Sequence, residues 1–94
     1  MLFAAICMDK PDFFQVRARV RADHLAFVQS NAGRVKIGGP FLDDKGRMNG
    51  SLLIVEASDE ADARRLLEGD PYAKAGLFER VELRAWRWTI GAPD

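Results

Sequence analysis

The chain begins with an apolar run, Leu2-Phe3-Ala4-Ala5-Ile6-Cys7-Met8, that ends at Asp9-Lys10-Pro11. A short run with no polar alternation predicts a strand covered on both faces. The period then changes. Over residues 13–31, Phe13, Val16, Val20 and Phe27 recur at helical spacing, within about 80° of one side of a wheel centred on His24. Asn31-Ala32-Gly33 supplies the stop. Residues 34–42, with Gly38, Gly39 and Pro40 inside them, read as a second strand, and Asp43-Asp44-Lys45-Gly46 as a turn. Residues 50–57 read as a third strand, in which Leu52, Leu53, Ile54 and Val55 are apolar on both faces. Ser58 is the expected N-cap of a helix over 59–68, with Asp59 and Glu60 in its first turn and Gly69 after its end. Asp70-Pro71-Tyr72 opens a short helical turn closed near Gly76. Residues 79–88 alternate: Val81, Leu83 and Ala85 face one way, Arg80, Glu82, Arg84, Trp86 and Trp88 the other.

The order β-α-β-β-α-β predicts an α+β domain with two helices on one face of a four-stranded antiparallel sheet, the split βαβ arrangement. The doubly apolar first and third strands belong in the middle, giving the ladder fourth-first-third-second. The sheet face opposite the helices is then bare. Leu52 or Leu53, Ile54 or Val55, Trp86 and Trp88 put apolar surface on it. Such a face normally marks an interface, and the simplest partner is a second copy, giving a homodimer.

Ninety-four residues, 48% of them hydrophobic, are enough for one domain over 1–94 and one core. Fourteen basic residues balance fourteen acidic ones. No basic excess exists to attract nucleic acid. The single cysteine, Cys7, allows neither an internal disulfide nor a zinc site with several thiolates, which suits a reducing, cytoplasmic setting. The apolar start is too short for a membrane span or a signal peptide, so no membrane partner is expected.

His24 is the only histidine. Arg17 and Arg21 lie about 20° and 60° from it on the flank away from the apolar stripe, a cleft-edge position. It is suited either to proton transfer or to a quiet hydrogen bond with a backbone carbonyl. Asp70, held extended by Pro71, can cap the turn that follows. The same carboxylate could orient an imidazole. Gly38-Gly39-Pro40 marks a bulge or a place where a ligand approaches the backbone. Ser51 could donate a hydroxyl to a ligand or serve the strand alone. Tyr72, beside Asp70, lines the same pocket or is simply half-buried. The sequence contains no CxxC, phosphate loop, HExxH or GxSxG.

Across nearly its whole length the chain resembles the YciI-like family. The resemblance rests on Arg21-Ala22-Asp23-His24-Leu25, Gly39-Pro40, Gly50-Ser51, Asp70-Pro71-Tyr72 and Ala75-Gly76-Leu77-Phe78-Glu79. Ala22 stands where that family usually has proline. The resemblance implies a ferredoxin-like fold assembled as a dimeric α/β barrel. It also implies a site built on His24 and Asp70, with an anion-accepting pocket that suits Arg21 and Ser51.

Together these readings predict a small-molecule enzyme using His24 and Asp70 as a general acid/base pair. Arg21, Arg17, Ser51, Gly39 and Tyr72 would surround a small anionic or hydroxylated compound, in lyase, isomerase or hydrolase chemistry without metal or cofactor. The rival reading is a ligand-binding or accessory dimerisation module.

Overall fold

The computed structural model describes residues 1–94. Its elements run β1 (Leu2–Asp9), α1 (Phe14–Ser30), β2 (Val35–Leu42), β3 (Met48–Glu56), α2 (Glu60–Glu68), α3 (Pro71–Lys74) and β4 (Phe78–Trp86). The sheet order is β2-β3-β1-β4, and every neighbouring pair is antiparallel. The two doubly apolar strands therefore occupy the centre, as expected. The fold is α+β and ferredoxin-like.

One sheet face carries the main core. Phe3, Ala5 and Cys7 of β1, Leu53 and Val55 of β3, Val35 of β2 and Leu83 of β4 pack with Ala63, Leu66 and Leu67 of α2. Phe27 and Val28 of α1 close on the same cluster. Pairing decides the parity that the apolar run in β3 left open. Leu53 and Val55 face the helices, while Leu52, opposite Ile6, and Ile54, opposite Ala4, face away. No helix is long and apolar enough to cross a membrane.

Three local expectations are corrected. The N-cap of α2 is Asp59, not Ser58: its side chain accepts from the Asp62 amide at 2.8 Å. Ser58 instead gives its amide and hydroxyl to the Asp62 carboxylate, at 2.9 and 3.2 Å. Asp62 thus returns a bond to the residue before the cap, and the entry to the helix is held from both sides. Trp88 lies beyond β4, which ends at Trp86 opposite Leu2, the first residue of β1. The Trp88 indole donates to the Ile90 carbonyl at 2.8 Å.

The third correction concerns α1. Its buried residues are Arg17, Val20 and His24, whereas Phe13, Val16 and Phe27 are only half-buried. Spacings of three and four place these three on one inward stripe, so Arg17 lies on the buried stripe itself and not on a flank away from it. A helix with two polar residues on its innermost stripe is not stabilised by burial of apolar surface there. Each polar group must find a partner.

Candidate active site

Asp70 leads directly into α3. Pro71 sets the first helical φ, and Asp70, extended at φ −66° and ψ 129°, accepts from the Tyr72 amide at 2.9 Å. This cap fixes the carboxylate, which is 1% exposed. From α1, His24 meets it: Nδ1 lies 2.9 Å from Oδ1 and 3.0 Å from Oδ2. An ionised carboxylate only accepts, so Nδ1 carries the hydrogen and donates it. Nε2 hydrogen-bonds to no protein group and is not sealed from the surface. In the neutral ring it carries the free lone pair.

Tyr72 stacks on the imidazole with ring centres 4.1 Å apart and planes 16° from parallel. The Arg17 guanidinium lies 4.6 Å from the centre of the same ring. Burial raises the Tyr72 phenol above its usual range, although the charges of Arg17 and Arg21 pull it down. Arg17 is subject to opposing effects. Burial disfavours its charge, but hydrogen bonding and attraction to Asp9 prevail and hold it above its ordinary value. Asp9 takes two bonds from it, Nε at 2.7 Å and Nη2 at 2.9 Å, and Nη2 also donates to Ser51 Oγ at 2.9 Å.

These groups border a cleft of about 270 Å³ between α1 and the edge strand β2, floored by β3. His24, Tyr72, Ser51, Arg17, Arg21 and Gly39 all line it. Asp70 supports it from behind His24. Arg21 and Lys36 are exposed and pair with no carboxylate, so both are free cations at the rim. The charge of Arg17 is already met by Asp9. The backbone leaves open space around Gly39, where an added Cβ would meet nothing within 4 Å. At Gly38 it would lie 2.4 Å from Leu53 Cδ2 and 3.1 Å from the Leu52 carbonyl oxygen, so the Leu53 side chain would have to move.

A wider groove of about 740 Å³ runs past Met1, Trp86 and Trp88. It has no histidine, and its one carboxylate, Glu56, is paired with the N-terminal amine. No three histidine, cysteine or carboxylate side chains converge as a metal site would need.

Sequence reasoning named His24, Asp70, Tyr72, Ser51, Arg17, Arg21 and Gly39 and missed Asp9. The only available signal was an acidic residue ending an apolar strand eight positions before an arginine. That spacing has no meaning across a strand–helix junction until the fold is known.

A model of the YCII-related domain matches residues 1–87. The chain is 32% identical over 95 residues to Protein YciI of Escherichia coli O6:H1, covering 93% of this chain and 97% of that one. Protein YciI of Shigella flexneri matches with the same figures. Among solved structures, one similar to it is the 5-chloro-2-hydroxyhydroquinone dehydrochlorinase (TftG) of Burkholderia phenoliruptrix AC1100, in complex with 2,5-dihydroxybenzoquinone. That match is 36% identical with a TM-score of 0.84, covering 93% of this chain and 94% of the other. A NIPSNAP domain protein of Burkholderia xenovorans covers all of both chains at 18% identity and a TM-score of 0.54, a likeness of fold alone.

Proposed function

We propose that this chain, which belongs to the YCII-related family, is an enzyme that moves a proton on a small hydroxylated, anion-forming organic molecule. One observation carries the reading. His24, which lines the cleft, is held through Nδ1 by a buried, helix-capping carboxylate 2.9 Å away, while its other nitrogen has no protein partner. The open second nitrogen gives the pair a position at which to exchange a proton.

The chemistry follows from that arrangement. Asp70 fixes the tautomer and stabilises the imidazolium that forms when Nε2 takes a proton from a substrate O–H or C–H. Negative charge left on the substrate is met by Arg21 and by the Ser51 hydroxyl. His24 can then return the proton to a leaving group or to another substrate atom, which gives elimination or isomerisation. A cleft of about 270 Å³ suits a compound of one ring. The ligand of the 36% identical dehydrochlorinase, 2,5-dihydroxybenzoquinone, is of that size and acidity. The substrate class proposed here is accordingly hydroxylated quinols and quinones.

The working unit is proposed to be a homodimer joined through the sheet face away from the helices. Ile6 and Leu52, half-buried in the single chain, lie along its centre, and Trp86, 38% exposed, stands at its margin. Burying that face against a second copy would remove this apolar surface from water.

The test is a panel of hydroxyquinols and hydroxyquinones, with 5-chloro-2-hydroxyhydroquinone and 2,5-dihydroxybenzoquinone among them, assayed for binding and turnover. Wild-type turnover, lost in a folded His24→Ala variant, is the expected result. Binding without turnover of any member supports a non-catalytic ligand module instead. Absence of both removes this substrate class.

A further inference from the structure

Arg17 occupies a position on α1 that would ordinarily hold an aliphatic side chain, and it is only 5% exposed. An unpaired guanidinium at that depth is costly. Asp9, at the end of β1, meets it side-on through Nε and Nη2, and both side chains are almost fully enclosed. The second hydrogen of Nη2 goes to Ser51 Oγ at 2.9 Å. Rotating the guanidinium would break three bonds at once, so its orientation is set by the carboxylate.

The consequence falls on Ser51. A guanidinium has no acceptor, so at this contact Ser51 Oγ must be the acceptor and its own hydrogen must point elsewhere. No protein group accepts that hydrogen. Ser51 is 4% exposed and lines the cleft beside His24.

We infer that Asp9 is a positioning residue which, through Arg17, leaves the Ser51 hydrogen directed away from the guanidinium as a donor to an acceptor oxygen of the ligand. This rests on the cleft being the substrate site, as proposed above. It deepens that reading by assigning a polarity to one wall. The Ser51 hydrogen, which no protein group accepts, goes to a carbonyl or oxyanion oxygen of the ligand. The positive charge behind Ser51 strengthens the donation without entering the cleft as a free cation.

The experiment is a double-mutant cycle with 2,5-dihydroxybenzoquinone as the calorimetric probe, paired with a ligand-free NMR measurement of Arg17. Ser51→Ala is expected to weaken binding roughly tenfold, the size of one hydrogen bond to a charged or polarised partner. Asp9→Asn should weaken it by a similar factor, and the double variant should bind no worse than Ser51→Ala alone. Additive losses, or an Asp9→Asn protein that binds as wild type does, overturn the proposal. If Asp9→Asn does not fold, Asp9→Glu keeps the charge but displaces it, and the same non-additivity is required. In the NMR arm, rotation about the Arg17 Cζ–Nη2 bond should be slow in wild type and fast in the Asp9 variant. Slow rotation in both overturns the proposal whether or not the probe binds. A wild type that binds no probe, but whose Arg17 is locked and released as described, counts against the quinone substrate class and for the positioning role.

Discussion

His24 and Asp70 are 46 positions apart in the chain and 2.9 Å apart in the fold, Nδ1 to Oδ1. The same oxygen caps α3 by accepting from the Tyr72 amide at 2.9 Å. The two duties can be separated by substitution. Asparagine caps about as well as aspartate, so Asp70→Asn should keep thermal stability within about 1 kcal/mol. Without the carboxylate charge, though, the imidazolium is no longer stabilised, and turnover should fall by roughly a hundredfold or more. Asp70→Ala should lose the cap, at about 0.5–2 kcal/mol, and leave Nδ1 unpaired, at about 1–3 kcal/mol more. Denaturant unfolding beside activity distinguishes these outcomes. An active Asp70→Asn would reduce Asp70 to a cap.

Alkaline pH should destabilise the protein through two buried groups. Burial raises the Tyr72 phenol against the pull of Arg17 and Arg21. Burial first, then the Asp70 charge, pushes the Cys7 thiol from 9.0 to about 12, against a lowering by Arg17. A raised folded value means that the protonated form is favoured in the fold. The Cys7 contribution is complete below pH 9 and is lost as pH climbs toward about 12. That of Tyr72 is complete below its ordinary value near 10 and is lost above it. The unfolding midpoint in denaturant should therefore drop above pH 9. Tyr72 is the only tyrosine, so tyrosinate absorbance reports it alone. Tyrosinate forming near pH 10 in a protein that stays folded would contradict this.

The proposed dimer is exposed to a single charge. Leu52 sits on the face away from the helices, opposite Ile6 on one side and Gly39 on the other. Leu52→Glu should leave circular dichroism unchanged and give a monomer at micromolar concentration by light scattering, with wild type a dimer. A monomeric wild type, or a dimeric Leu52→Glu, refutes that interface.

Two glycines should respond in opposite directions to the same substitution. At Gly50 an added Cβ would lie 2.7 Å from the Cys7 carbonyl oxygen, a backbone atom of the neighbouring strand. Gly50→Ala should cost about 1–3 kcal/mol by forcing β1 and β3 apart. At Gly39 nothing lies within 4 Å. There alanine should be neutral or stabilising by up to about 1 kcal/mol, by restricting the unfolded chain. Thermal unfolding of both variants checks the contrast.

The architecture was legible in the sequence because it follows from local periodicity. Double-sided apolar runs placed the first and third strands in the centre, and Pro71 after Asp70 marked the capped turn. A resemblance carried by short motifs joined His24 to Asp70. Tertiary structure alone decided which way ambiguous residues faced. Leu53 turned inward and Leu52 outward only through pairing with β1. Trp88 lies outside the sheet, where the pairing with β1 ends at Trp86 opposite Leu2. Arg17 shows the limit most clearly. By periodicity it belongs as readily to a solvated flank as to the interior. It is buried because Asp9, contributed by another element, lies 2.7 Å from it and offsets the loss of water. Helical angle is a property of one segment, whereas burial of a charge depends on a partner that the segment does not contain.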